Sequence, residues 1–560
     1  MAISKWRLMA GAATASLCLA SAQSSYASTS WVTTHTQAIP LIQAKLLGAV
    51  DPAKAMSVTV ALQMQNPQAL QDLVQQQATP GSPNFSKYIT PAQFNAGYAP
   101  SFASVNAVKK YLTAAGLSNI SVEGNRLFVT ATGTAAQIEA AFNTSLFRFR
   151  QKGKEIFVNT TPAQVPQALG GVVLSVLGLN NVKMTTPVTE CDVSIKGCLR
   201  FTYDPQTYWR AYNAAHVTRG SKTSIAIMAE GDVSPVIPDL RTFEAATGLP
   251  QAPVSVVQVG LPSSDTAGVI EWDLDTQYTT GMAGSVKHLY IYATSSLTDQ
   301  DVTLEFNRWA TDNLAQVANA SFGICENFPY LDGTMVAADQ VFLQAAAQGQ
   351  TMFSSTGDTG AYCSIGTNGI PAGAPLVEYP ATSPYVIGVG GTTLVTNTNG
   401  GYNSEVAWYA GGGGISQFEY SPYWQSPVVP TNNPDVPATF RAIPDMSMDA
   451  DPNTGAVVYS TTGTNFVGGT SLSSPLAAGA WARLQTSYAN TLGFAGPRLY
   501  AGYPAFGTPP GNPTGLTQKI DGFNDVLTGA NGLYASLPYY DFTTGLGTLD
   551  LGQKQPLLPH

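Results

Sequence analysis

Apolar residues recur at helical spacing through residues 102–115, and the stretches 67–77 and 134–142 carry the same texture, so each is predicted as a helix. Between them the pattern switches to short runs that suit strands. Residues 120–122 and 126–129 read as a hairpin turning at Gly124-Asn125, and residues 146–157 as two strands around Gly153. From residue 201 the texture changes again. Short apolar runs at 224–228, 254–259, 288–292 and 317–320 alternate with helical stretches.

These patterns divide the chain. Residues 30–182, rich in Ala, Gln and Val, predict an α+β sandwich of the ferredoxin-like kind with nothing catalytic in it. Residues 183–200 are polar and irregular, which is where a chain is most easily nicked, between about 180 and 200. Residues 201–560 predict an α/β domain whose largely parallel sheet is covered on both faces, with any active site at the carboxyl ends of its strands. There is no internal repeat, and no low-complexity tract beyond Gly411 to Gly414.

Composition narrows the setting. Hydrophobic residues make up 44% of the 560, enough for sizeable cores, while charged residues make up only 11%. A surface with few ion pairs has little to lose when carboxylates protonate, which suits an acidic medium. The net charge of −9 and the lack of any basic cluster argue against nucleic acid as a partner. Lys5 and Arg7 precede an apolar run from Leu8 to Ala20, followed by Ser21-Ala22, the layout of a secretory signal cut after Ala22 or after Ala27. No later stretch is long and apolar enough to span a membrane, so a secreted protein without membrane attachment is expected. Cys18 leaves with the signal. Cys191, Cys198, Cys325 and Cys363 remain, and of three possible pairings locality favours Cys191–Cys198 and Cys325–Cys363.

Chemistry concentrates in three segments. Gly468-Gly469-Thr470-Ser471-Leu472-Ser473-Ser474-Pro475 puts a serine on a glycine turn at the start of a small-residue helix, where amides and dipole can stabilise developing negative charge. Alone, such a turn also fits a plain helix cap. A base is then needed. His35, His216, His288 and His560 are the only histidines, and none has a catalytic neighbourhood. Glu271 and Asp275 lie four apart, on one helix face, and two close carboxyls tend to share a proton that can be taken from a serine and returned to a leaving amine. The same spacing also fits a solvated acidic face, and Asp273 points elsewhere. In Ser355-Thr356-Gly357-Asp358-Thr359-Gly360, Asp358 reads as a turn residue or, if it is protonated and faces the serine, as a hydrogen-bond donor to an oxyanion.

Together these segments resemble the sedolisin family of serine-carboxyl peptidases. The resemblance includes Glu271-Trp272-Asp273-Leu274-Asp275, the Gly357-Asp358 run and Gly469-Thr470-Ser471. It extends to Tyr379-Pro380-Ala381, Pro444-Asp445-Met446 and, in the N-terminal part, Gly81-Ser82-Pro83-Asn84-Phe85-Ser86-Lys87-Tyr88, which resembles an activation domain. It implies a subtilisin-like α/β fold and a secreted zymogen whose propeptide inhibits it. It also implies an acid-acting monomeric endopeptidase that takes proteins or peptides as substrates. Ser471 is then the nucleophile, Glu271 its base, Asp275 the residue sharing protons with Glu271, and Asp358 the oxyanion stabiliser. Ser321, Phe322 and Gly323 resemble the edge that pairs with substrate backbone. One structural calcium is implied, held by the carboxylates of Asp525 and Asp541 and the carbonyls of Val526, Leu537 and Tyr539, although the family usually has glycines at the positions of Leu537 and Tyr539. The resemblance also supports a Cys325–Cys363 disulfide. Two other readings stay open, a subtilisin-like peptidase with a histidine base and an inactive secreted binding protein on the same fold.

Overall fold

A computed structural model describes residues 30–41, 44–151, 153–186, 189–190, 202–362, 374–429, 439–504 and 515–560. The expected signal, Cys191, Cys198 and Cys363 lie outside the described residues.

In the N-terminal domain, strands β1 (Ala55–Leu62), β2 (Ser118–Val122), β3 (Phe128–Thr134) and β4 (Val173–Leu177) form an antiparallel sheet in the order β2-β3-β1-β4. Strand periodicity decides what each face touches. Val58, Val60 and Leu62 of β1 pack with Val105, Val108 and Leu112 of helix α2 (Phe102–Ala114) and Ile138 of helix α3 (Ala135–Ala141). Ala61, Phe128 and Leu177 turn the other way and join helix α1 (Pro67–Ala78) in the core of the larger domain. Caps explain where two of the helices start. Ser101 accepts from the amide of Ser104 ahead of α2, and Thr134 and Gln137 form a reciprocal box ahead of α3. The arrangement is the expected ferredoxin-like one. The second hairpin strand begins two residues later than the pattern suggests, because Arg126, at φ 63°, still belongs to the turn.

The larger domain carries an eleven-stranded sheet. Its strands are β5 (Ser224–Glu230), β6 (Val254–Gln258), β7 (His288–Thr294), β8 (Val317–Ala320), β9 (Thr351–Ser355), β10 (Val386–Thr396), β11 (Tyr402–Ala407), β12 (Met446–Asp449), β13 (Thr517–Ile520), β14 (Phe523–Val526) and β15 (Thr548–Leu549). The order is β6-β7-β5-β8-β9-β10-β12-β15-β14-β13, with β11 beside β10. From β6 to β15 along that order every neighbouring pair is parallel, and the far end finishes antiparallel. Helices α4 (Val269–Ala283), α5 (Asp299–Asp312), α6 (Thr334–Ala347) and α7 (Thr470–Ser487) pack on it. This is the covered parallel sheet that the apolar runs predict.

Side-chain amides carry several of the contacts between the two domains. Asn125, at the tip of the β2–β3 hairpin, is buried and donates to Asn307 Oδ1 (2.6 Å) and Gln344 Oε1 (2.8 Å). Gln340 Oε1 accepts from the amide of Met64 (2.7 Å), and Gln300 donates to Thr59 Oγ1 (2.9 Å). Beyond the N-terminal domain, the chain at residues 183–186 lies on the larger domain. Thr185 and Gly323 exchange both backbone hydrogen bonds, at 2.9 and 3.0 Å, and Met184 donates to Leu297 (2.8 Å). Thr189–Glu190 then pairs antiparallel with Val467 and Gly468.

Candidate active site

The strand Gly463–Gly468 delivers the chain to α7 through two glycines. A Cβ at Gly468 would sit 2.4 Å from the carbonyl oxygen of Ala450, and Gly469 holds φ at 104°, a region favouring glycine. Ser471 is the second residue of α7. Its Oγ is buried and makes no hydrogen bond among the described residues. An unpaired buried hydroxyl at a helix N-terminus is costly to keep.

Glu271 and Asp275 sit one turn apart on α4, which is buried on every side from Glu271 to Ala283. The solvated acidic face that the spacing also allowed is therefore excluded. The cause is α7, packed along α4, with Gly479 where a Cβ would lie 2.4 Å from the carbonyl oxygen of Thr279. Asp275 Oδ1 accepts from Ser321 Oγ at 2.6 Å. Ser321 Oγ in turn accepts from Asn319 Nδ2 (3.0 Å), and Asn319 Oδ1 accepts from Ser474 Oγ (2.6 Å). A polar chain thus ties Asp275 to the helix turn that carries Ser471. Burial pushes the Asp275 carboxyl well above the usual carboxylate range, against the pull of the Ser321 and Asn319 hydrogen bonds. Asp273 does point away from this pair, but it is not solvated. It is buried against Asp239, and burial with that neighbouring carboxyl pushes it up to about 9.

Asp358 follows β9 in a turn opened by Gly357. Its Oδ1 accepts from the amide (2.8 Å) and the hydroxyl (2.9 Å) of Thr470, and Thr470 Oγ1 also accepts from the amide of Gly357 (3.1 Å). The three segments singled out in the sequence therefore converge. No histidine hydrogen-bonds any of these groups among the described residues. His288 instead pairs with Ser255 and stacks on Tyr290, half-buried at the start of β7. Beside the site, β8 ends at Ala320 and the chain runs on as Ser321, Phe322 and Gly323, the last of which pairs its backbone with Thr185.

A model of the "Pro-kumamolisin, activation domain" matches residues 43–182, and a model of the "Subtilase family" matches residues 263–497. Sedolisin of Pseudomonas sp. (strain 101) is 36% identical, over 94% of this chain and 92% of the relative. The chain belongs to the sedolisin family. Xanthomonalisin of Xanthomonas sp. (strain T-22) is 33% identical, over 95% of this chain and 73% of the relative. The solved structure of Pseudomonas sedolisin, a serine-carboxyl proteinase complexed with two molecules of pseudo-iodotyrostatin, matches with a TM-score of 0.57 and 35% identity. That match covers 64% of this chain and 97% of that one. This member of the sedolisin family is a serine-carboxyl peptidase, made as a zymogen with its activation domain ahead of a subtilase-like domain.

The other expected site residues fall in two places. Asp525 lies in β14, and its Oδ2 accepts from Gln518 Nε2 (2.6 Å) and the amide of Tyr539 (2.8 Å), while Oδ1 is buried with no hydrogen bond. Asp541 Oδ2 accepts from the amide of Leu537 (3.0 Å), and Oδ1 from the amides of Thr543 and Thr544 (both 2.8 Å). Burial pushes Asp525 and Asp541 up to about 7 and about 6, and the charge of Asp541 adds to the rise at Asp525. A buried oxygen without a donor beside a second carboxyl is a donor set that fits a hard cation. Tyr539 holds φ at 70°, the conformation glycine would take there, whereas Leu537 is not among the positive-φ residues. Elsewhere, Cys325 is disulfide-bonded. No helix among the described residues is long and apolar enough to cross a membrane.

Sequence reasoning did not anticipate Thr470 as the anchor of Asp358, Asn319 and Ser474 as links to Asp275, or Glu378. The last packs against Gly323 and Gly357 and is buried beside Asp358. A carboxyl directly before the Tyr379-Pro380 run was the available signal.

Proposed function

We propose that this peptidase is secreted and cuts proteins or peptides within their chains in acid, with Ser471 as nucleophile. Glu271 takes the Ser471 proton as Oγ bonds to the scissile carbonyl carbon, and Asp275 shares protons with Glu271. The proton then passes to the leaving amine. In the second half the same carboxylate takes a proton from water as its oxygen bonds to the acyl carbon, and returns that proton to Ser471 Oγ as the C–Oγ bond breaks and the acid product leaves. Asp358 stabilises the oxyanion. One observation carries this reading: Asp358 Oδ1 is taken up by two hydrogen bonds from Thr470, the residue before the nucleophile. The proton of a neutral Asp358 then belongs on Oδ2, where it can be donated to an oxyanion, and the role ends when the carboxyl ionises.

The propeptide acts as intramolecular inhibitor, supported by residues 183–186 lying on the Ser321, Phe322 and Gly323 edge that a substrate would use. One structural calcium is held by Asp525 and Asp541, with Val526, Leu537 and Tyr539 as carbonyl ligands. The bond of Cys325 runs to Cys363, and the processed enzyme is a monomer. Secretion is supported by the signal-like N-terminus and the sparse charge. The test is digestion of an unfolded protein at roughly pH 3–5, where a protonated oxyanion donor works, by the wild type, Ser471→Ala and Glu271→Ala. Both variants should be inactive; undiminished activity in either would end the assignment.

A further inference from the structure

Glu230 is the last residue of β5, at the carboxyl end of the sheet, and its side chain is 12% exposed. Its Oε2 is buried and receives no hydrogen bond, and the ion pair it forms is with Lys183 Nζ, at 4.0 Å. Three carboxyls stand near it. Gly231, at φ 83°, lets the chain at Asp265 come close, since a Cβ there would lie 2.3 Å from the carbonyl oxygen of Asp265. Asp301 and Glu305 lie one turn apart on α5. Asp301 Oδ2 accepts from Ser295 Oγ (2.8 Å) and Ser296 Oγ (2.7 Å). Glu305 is fully buried; its Oε1 accepts from the amide of Ala229 (2.8 Å) and its Oε2 from nothing. The charges of Asp265 and Asp301 act on Glu230, and Glu230 and Asp301 act on Glu305. Burial and these like charges raise the Glu230 carboxyl above its usual range, while Lys183 pulls it back.

Lys183 comes from the segment laid on the larger domain. It bridges to Thr298, Met184 donates to the carbonyl of Leu297 (2.8 Å), and Thr185 exchanges both backbone hydrogen bonds with Gly323. The segment therefore runs between two edges, one at 297–298 and one at 323. Backbone groups make these bonds, so another extended chain can make them in its place. A chain in this register puts the residue two before the partner of Gly323 where Lys183 stands. Room for a long side chain is present there, because that of Lys183 fills it and is still 51% exposed.

We propose that Glu230, reinforced by the charges of Asp301 and Glu305, is a subsite for a basic side chain of the substrate, arginine before lysine, which Lys183 fills in the precursor and leaves open once the propeptide departs. This rests on the peptidase reading above. At 4.0 Å the Lys183 ammonium attracts Oε2 without hydrogen-bonding it. A guanidinium reaches further and carries its donors in a fork, so it closes that gap. A neutral apolar side chain leaves Oε2 without a donor. The attraction requires an ionised carboxyl, so the preference strengthens as rising pH takes the proton from Glu230.

The test is a digest of a random peptide library by the processed enzyme at about pH 3 and about pH 5.5, on either side of ordinary carboxyl titration, with Ser471→Ala as the blank. At the higher pH, arginine should be enriched about threefold or more over leucine at one position on the amino-terminal side of the cut, the size expected for a partly exposed ion pair. Lysine should be enriched less, and the enrichment should shrink at the lower pH. Glu230→Gln should lose it at both, and Glu230→Asp should keep part of it. The wild type decides without any variant: a profile with no basic enrichment, or one equal at the two pH values, overturns the proposal while leaving the peptidase intact. Enrichment that survives in Glu230→Gln overturns it as well. A digest identical with and without Ser471 sinks the peptidase reading and this one with it.

Discussion

Asp358 and Thr470 are bound to each other twice through a single oxygen, Oδ1 of the carboxyl, which accepts from both the amide and the hydroxyl of the residue preceding Ser471. With Oδ1 engaged as acceptor, a proton on this carboxyl belongs on Oδ2. An amide can copy that division of labour, with its oxygen accepting and its nitrogen donating, and an amide does not titrate. Asp358→Asn should therefore keep measurable activity and extend it to higher pH than the wild type. Asp358→Ala should lose on the order of a hundredfold or more in kcat, the usual loss on removing one oxyanion donor. A pH profile of kcat for the three proteins checks this, and an alkaline limb unmoved in Asp358→Asn would count against the oxyanion role.

Ser321 serves two neighbours at once, donating to Asp275 and accepting from Asn319. Ser321→Ala removes the donor of a 2.6 Å bond to a buried carboxyl, so kcat should fall by roughly tenfold. Ser474→Ala, two links further along the chain, should cost less. Equal losses in the two variants would show that the chain from Ser474 to Asp275 does not transmit position.

Stability should depend on pH in the direction opposite to that of an ordinary acid-sensitive protein. Burial raises Glu378 and Glu326 to about 8 and Asp273 to about 9, and it raises Asp275 and Asp299 well above the usual carboxylate range. The same groups in the unfolded chain titrate near about 4. The native state thus holds more protons than the unfolded one, so this stability is complete below about pH 4 and is lost as pH rises through about 8 to 9, at up to about 1.4 kcal/mol per unit for each group. Melts of Ser471→Ala, which avoid self-digestion, should show Tm falling steadily from acid through neutral pH. A Tm that rises over that range would contradict it.

Calcium should stabilise the folded enzyme, because an ion bound only to the native state shifts unfolding by mass action. Adding chelator should lower Tm, and Asp525→Ala should melt low and ignore chelator. A wild type indifferent to chelator would remove calcium from the proposal.

Ser471 was legible as a candidate nucleophile because its surroundings are local: two glycines, a threonine and a small-residue helix stand consecutively in the chain. Glu271 and Asp275 were legible as a pair on one helix face, but their burial was not. Helix α4 places Thr276, Gln277 and Thr280 among its apolar residues and looks half-polar. It is enclosed because α7, some two hundred residues further on, approaches it closely at Gly479. The same distance in sequence hid the roles of Asn319, Ser321 and Thr470, whose partners lie on segments that only the folded sheet brings together. The N-terminal sandwich was legible from its alternation. That its second face would close the core of the peptidase domain was not, since an alternating strand reveals two faces without saying what covers each.

The backbone pairing of Thr185 with Gly323 and of Thr189–Glu190 with Val467 and Gly468 lays the chain's own strand against the end of the Ser321–Gly323 run and against the glycine turn that leads to Ser471. A strand joined covalently to the enzyme meets the cleft at an effective concentration on the order of millimolar, whatever the number of molecules in solution. Dilution alone therefore cannot awaken the uncut precursor. Once the joining segment is cut, the same contacts become an ordinary bimolecular equilibrium, and occupancy of the cleft begins to depend on how far the two pieces can drift apart. The precursor is silent by connectivity, and activity follows only where the product is free to dilute.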